Sequence, residues 1–181
     1  MLTKDINKII AKLAAQEVVS VPTDTVYGLS CIIEPKVVDR LIKTKQRDSS
    51  KGFIIISYNF EHFLEYIDKS ILSEEQLEKI STVQNTPTTW LVPAMQSIKW
   101  LTGEKPTVAI RLVKTKVIKG ICNKLNRAII STSANISGKP PLYDAKLIDE
   151  TFKDITVFAA SNKTSGTPSK IIDIINNEQI R

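Results

Sequence analysis

Thr107-Val108-Ala109-Ile110-Arg111-Leu112-Val113 sets apolar residues against polar or small ones in alternation, whereas Phe53-Ile54-Ile55-Ile56 is apolar without a break. Alternation marks a strand with one open face, as in an antiparallel ladder. An unbroken run rich in β-branched residues marks a strand buried on both faces. Together they predict an α/β fold on a twisted sheet that mixes parallel and antiparallel strands, with helices packed on it. Outward from these two stretches, further strands are expected at 18–21, 27–33, 88–92, 128–132, 156–159 and 170–174. Helices are expected at 36–44, 60–66, 73–81, 116–125 and 145–152. A first helix, with Thr3 as its cap, carries Ile6, Ile9, Ile10 and Leu13 at helical spacing. The elements intermix without the strict alternation of a doubly wound sheet. No repeat, low-complexity tract or linker divides the chain.

The 181 residues and 20.2 kDa suit one domain spanning 1–181. Apolar residues are 42% and charged residues 24%, the balance of a globular chain that can bury a core without staples. Lysine and arginine number 25 against 19 aspartates and glutamates, a net charge of +6 that favours an anionic partner such as a nucleotide, a nucleic acid or an acidic surface. No apolar run approaches the ~20 residues needed to span a bilayer, and the start MLTKDINKII lacks the pattern of a signal peptide. Cys31 and Cys122 lie far apart, and His62 is the only histidine, so a disulfide scaffold or a zinc site of these residues is not expected. A reduced, cytoplasmic protein without a membrane partner is the resulting expectation.

Three polar segments follow apolar strands. The first is Pro22-Thr23-Asp24-Thr25-Val26-Tyr27-Gly28-Leu29, which gathers two hydroxyls and a carboxylate at a strand end, with Gly28 permitting close backbone approach. The second holds Lys43, Lys45, Arg47 and Lys51 where a helix ends and the Phe53 strand begins. These cations suit a phosphate wall, and equally a helix C-terminus. The third, Ser131-Thr132-Ser133-Ala134-Asn135-Ile136-Ser137-Gly138, offers amides, hydroxyls and a carboxamide to a phosphate or adenine. Read singly, each is also an ordinary turn or solvated face. Neither a P-loop nor a dinucleotide glycine fingerprint is present. Arg111 is a lone cation on its strand, needing an anion or an exposed face. His62 reads as a solvated helix residue, and Trp90 and Trp100 as core or rim packing. The string Thr164-Ser165-Gly166-Thr167-Pro168-Ser169 reads as a plain turn or as a closure over a ligand.

Taken in order, the Pro22–Leu29 run, Lys45-Gln46-Arg47 and the Ser131–Gly138 run resemble the YrdC/TsaC family. The likeness continues through Trp100-Leu101-Thr102-Gly103, Thr107-Val108-Ala109-Ile110-Arg111 and Pro168-Ser169. It covers nearly the whole chain and matches the family's short single-domain form. It implies helices wrapped on a mixed sheet around a basic concave cavity. It also implies an L-threonylcarbamoyladenylate synthase, a nucleotidyltransferase that converts L-threonine, bicarbonate and ATP to threonylcarbamoyl-AMP and pyrophosphate. Partner proteins would pass the threonylcarbamoyl group to adenosine 37 of tRNAs reading ANN codons, with direct tRNA contact left open. Position by position, the resemblance assigns Lys45 and Arg47 to catalysis at the triphosphate. It assigns Lys51, Thr107, Ser133, Asn135 and Arg181 to further ATP contacts, and Thr25, Arg111 and Ser169 to L-threonine. Mg²⁺ would arrive with ATP, with no protein metal ligands and no tightly bound organic cofactor. Asp24 is an added candidate for orienting the amine or a metal-bound water. Some longer relatives carry a threonine-contacting histidine where Ile56 stands here, so this pocket is completed differently. A non-catalytic RNA-binding module and a related carbamoyl-adenylate activity are the competing readings.

Overall fold

The computed structural model describes residues 1–103, 105–160 and 164–181. In chain order the elements are β1 (Leu2–Thr3), α1 (Ile6–Ala14), β2 (Val19–Pro22), β3 (Tyr27–Ile32), α2 (Pro35–Lys45), β4 (Ile54–Ser57), α3 (Glu74–Ser81) and β5 (Thr88–Pro93). They continue with α4 (Lys99–Thr102), β6 (Thr107–Leu112), α5 (Lys116–Leu125), β7 (Ile129–Ser133), α6 (Ala145–Thr151), β8 (Thr156–Phe158) and β9 (Lys170–Asp173). Each expected strand forms. The expected helix at 60–66 is only a 3-10 turn, Phe60–Phe63, and α1 is capped by Asp5 rather than Thr3, whose hydroxyl instead accepts from the Asp5 amide.

Among the described residues one sheet joins nine strands in the order β1-β8-β2-β3-β7-β4-β6-β5-β9. The pairs β1/β8, β2/β8, β4/β6 and β5/β9 are parallel, while β2/β3, β3/β7, β4/β7 and β5/β6 are antiparallel. β6 is thus not simply antiparallel: it has an antiparallel neighbour on one side and β4, in parallel, on the other. Its alternation is nonetheless meaningful. Val108 and Ile110 are buried in the core with Ile55 and Ile130, while Thr107, Ala109 and Arg111 open onto a cavity on the other face. The register sets Ile54 beside Ala109 and Ile56 beside Arg111, so β4 lends two apolar side chains to the same floor.

The loops around the floor are fixed by local chemistry. Gly103 ends α4 with φ +65, a left-handed conformation that favours glycine, and any Cβ there would strike the Ser50 carbonyl. The Phe53 amide donates to the Leu101 carbonyl, so the segment carrying Arg47 and Lys51 is seated on α4. Across the sheet, the Gly166 amide donates to the Thr25 carbonyl at 2.9 Å, seating the hydroxyl-rich turn at 164–169 on the turn after β2. No helix among the described residues is long and apolar enough to cross a membrane.

Candidate active site

The cavity encloses about 400 Å³ over the β4–β6–β5 floor, within the range of small-molecule sites. Its cationic lining residues are Arg47, Lys105, Arg111 and Arg181, and no aspartate or glutamate stands among the described residues that line it. Of the positions singled out above, Thr25, Arg47, Thr107, Arg111, Ser133, Ser169 and Arg181 come together on its wall, drawn from β6, β7, β9's approach, the turn after β2, the α2–β4 connection and the end of the chain. Lys45, Lys51 and Asn135 do not line it.

Arg111 occupies one end. It is 5% exposed. Its Nη1 donates to Thr25 Oγ1 at 3.0 Å and stands 3.3 Å from Asp24 Oδ1. The need for an anion, read from the sequence, is met from within the chain. Hydrogen-bond direction follows from what each group can do. The Thr23 hydroxyl donates to the Val26 carbonyl at 2.8 Å, so its oxygen accepts from Thr25 at 2.9 Å. Thr25 spends its proton on Thr23 and accepts from Arg111, leaving lone-pair density for a ligand N–H or O–H. The Arg111 Nε–H is buried and has no partner among the described residues. Burial draws this guanidinium below its ordinary pKa; Asp24 opposes that shift and Arg181 adds to it. Ser169 Oγ is tied to the buried Thr89 hydroxyl at 2.8 Å, and Arg181 donates Nε and Nη2 to the Ser169 carbonyl at 3.3 and 3.2 Å.

Arg47 lies toward the other end, because it is held at Gly52, two residues before the Ile54 that pairs with Ala109, whereas Arg111 pairs with Ile56 further along β4. Its Nη2 donates to the Gly52 carbonyl at 2.9 Å, and its guanidinium carbon lies 5.0 Å from the Phe53 ring centroid. The planar head is therefore braced on its own loop, as a point-charge lysine would not be. Burial lowers its pKa, with Asp48 opposing.

Lys45 is the main correction. Expected to face the cavity beside Arg47, it is 2% exposed. Its ammonium donates to the Ser133 carbonyl and Asn135 Oδ1, both at 2.6 Å, and to the Asn135 carbonyl at 3.0 Å. Asn135, expected to touch a nucleotide, gives Oδ1 to Lys45 and to the Ser133 hydroxyl (2.7 Å), and donates Nδ2 to the Lys139 carbonyl. The pair is an internal knot that ties the end of α2 to the loop after β7, with Ser133 as the member reaching the cavity. Helical geometry accounts for this. Lys45 continues the buried stripe of Val37, Val38 and Leu41 on α2, while Arg47 follows a left-handed Gln46 that turns the chain outward. Lys51 is exposed and is not among the lining residues.

Asp24 also differs from expectation, lying outside the cavity lining in a small recess with Thr88, Trp90 and Leu112. His62 is half-buried, its Nδ1 2.8 Å from Ser57 Oγ. Trp90 is buried and Trp100 exposed, as core and rim packing require. Lys105 was missed. The only available signal was its place two residues before the alternating strand, in a connection whose cations give no period.

The residues could hold anions at two ends of one cavity. Among the described residues no group of three or more His, Cys, Asp or Glu forms a cage for a metal ion. The family model described as "Telomere recombination", covering Sua5, YciO and YrdC, matches residues 11–181. A protein of Vibrio campbellii named threonylcarbamoyl-AMP synthase is 32% identical, with 98% of each chain covered. Another of that name from Buchnera aphidicola is 36% identical over 91% of this chain and 96% of its own. In structure, P. abyssi Sua5 complexed with L-threonine matches with a TM-score of 0.82 and 26% identity over 93% of this chain. This chain spans about half of that longer one, 50% of its length. A model match running almost from end to end, full-length relatives and a shared fold lead to one conclusion: the chain belongs to the Sua5–YciO–YrdC family.

Proposed function

We propose that this protein is a threonylcarbamoyl-AMP synthase, which combines L-threonine, bicarbonate and ATP and releases pyrophosphate. The observation that carries the reading is a single cavity with Arg111 at one end and Arg47 at the other, in a chain whose full-length relatives bear that name. L-threonine enters at the Arg111 end, its carboxylate on the guanidinium and its amine or hydroxyl on the Thr25 lone pair, with Ser169 nearby. ATP lies across Thr107 and Ser133 toward Arg47, with Arg181 and Lys51 as further contacts. The neutral threonine amine forms a C–N bond to the bicarbonate carbon, and one amine hydrogen leaves with the bicarbonate hydroxyl as water, giving an N-carboxylate. An oxygen of that group bonds to the α-phosphorus, and the bond to the β-phosphate breaks, so pyrophosphate leaves toward Arg47.

Such a step needs orientation and charge stabilisation rather than covalent help from the protein. Mg²⁺ would neutralise the phosphate oxygens it arrives on, with water completing its shell. Lys45 serves the same end from beneath, by holding Ser133. The product would pass to partner proteins that modify tRNA.

Incubation of the purified protein with ATP, Mg²⁺, bicarbonate and L-threonine is expected to release pyrophosphate only when all are present. Equal turnover without threonine would identify another acceptor. RNA binding at physiological salt with no adenylate formed would favour a binding module.

A pH dependence follows from Lys45. Burial, and then the neighbouring Arg47 charge, bring its ammonium down to about 8. The unfolded chain holds this proton more tightly. Lys45 therefore weighs against folding below that pH, and the penalty fades as pH rises toward the ordinary lysine range. A neutral amine has two N–H donors for three oxygen acceptors, so the Ser133 loop should loosen as stability from this group increases. ATP affinity is expected to fall between about pH 7 and 9 with a midpoint near 8, without a matching fall in melting temperature. Nucleotide titrations with parallel melts check this, and a flat affinity would sink it.

A further inference from the structure

We propose that Asp24 is a positioning residue that acts through Arg111, gripping the Nη1 edge of the guanidinium so that the Nε edge is presented to a planar anion. The inference rests on reading Arg111 as the receptor for the threonine carboxylate. Asp24 is not part of the cavity wall. It sits in the recess with Leu112, whose side chain leaves β6 on the face opposite to Arg111. From there Asp24 Oδ1 reaches to 3.3 Å from Arg111 Nη1, and that oxygen is buried with no hydrogen-bond partner among the described residues. The carboxylate is thus turned to the guanidinium rather than spent on the backbone of its own turn. This is unlike Thr23, which ties the turn together through Val26.

The physical need is plain. A guanidinium this deep in the protein requires a counter-charge, and Arg181 brings a second positive charge to the same cavity. An arginine with both edges free could swing between ligands. With Nη1 committed to Asp24 and Thr25, its orientation is set before a ligand arrives, and Nε–H is the buried donor without a partner. A carboxylate satisfies that donor with matching planar geometry. Asp24 therefore belongs to the amino-acid end of the site without touching the amino acid.

Asp24→Asn keeps the shape and removes the charge. The apparent KM for L-threonine is expected to rise about tenfold, while kcat and the KM for ATP change less than about twofold. In an Arg111→Ala background the same substitution should add almost nothing, because the group through which it acts is gone. Asp24→Glu should recover part of the loss. Equal losses for both substrates, or a full additive effect in the Arg111→Ala background, would overturn the assignment. Thermal-shift titrations separate this from the functional reading. If L-threonine stabilises the wild type and Asp24→Asn alike, the positioning role falls alone. If the wild type gives no response to L-threonine, the reading of Arg111 falls and this inference with it. A retained response of Asp24→Asn to ATP shows that the variant is folded.

Discussion

Lys45→Ala is expected to destabilise the protein by about 3–5 kcal/mol, and Lys45→Met by less, with ATP-dependent turnover lost in both. Each substitution strips a charged donor from three oxygens: the Asn135 carbonyl, and the Ser133 carbonyl and Asn135 Oδ1, which keep only the Asn135 amide and the Ser133 hydroxyl. A lost charge-assisted hydrogen bond costs roughly 1.5–3 kcal/mol and a buried acceptor left without any donor roughly 1–3 kcal/mol, though loop relaxation recovers part of this. Alanine also leaves a void beside Leu41, whereas methionine fills most of the space of the lysine stem. Relief of the burial cost of the charge works in the opposite direction and keeps the estimate below the simple sum. For a chain of this length each kcal/mol moves the melting temperature by roughly 2–4 °C, so the alanine variant should melt roughly 6–20 °C lower. Thermal and urea unfolding decide the matter. A variant that melts like the wild type but cannot turn over would mean that the ammonium leaves its buried oxygens and faces the nucleotide.

That outcome bears on what a sequence can disclose. The strands were legible because their period is local: Phe53-Ile54-Ile55-Ile56 and the alternating Thr107–Leu112 run identify themselves without knowledge of their neighbours. Strand order was not legible. β4 pairs in parallel with β6 and antiparallel with β7, and nothing in either stretch names those partners. For the site, Arg111 could be read because a cation among apolar neighbours has few places to go, and Asp24 met it as that argument requires.

Lys45 and Arg47 look equivalent on paper, two cations separated by one residue. The left-handed Gln46 between them breaks the helical course, so that Lys45 is buried while Arg47 lines the cavity, and a single non-glycine residue at φ 51 is not announced by its type. The family likeness carried the remaining positions and was right about the family. It could not say that Asn135 would meet Lys45 and the Ser133 hydroxyl here, because a carboxamide facing a nucleotide and one facing Lys45 read the same.

The largest kinetic effect is expected at Arg111. Replacement by alanine removes a two-pronged, charge-assisted contact to the amino-acid carboxylate, worth about 3 kcal/mol, so the apparent KM for L-threonine should rise on the order of 100-fold. It also leaves Asp24 without its cation, which will cost some stability; melting curves must accompany the kinetics. Arg111→Lys keeps the charge but presents it as a point, and should restore only part of the affinity. ATP should be nearly indifferent to either change, because its proposed contacts other than Arg181 lie toward Arg47. Arg47→Ala should show the mirror image, with ATP affinity and turnover lowered roughly 10- to 100-fold and the threonine dependence little moved. The Arg47 head is braced by the Gly52 carbonyl and the Phe53 ring but fills no core, so this variant should melt close to the wild type. Titrating each substrate against both variants tests the division of the cavity into an amino-acid end and a phosphate end. If each variant loses threonine and ATP in equal measure, the two arginines serve one shared anion site and the division is wrong.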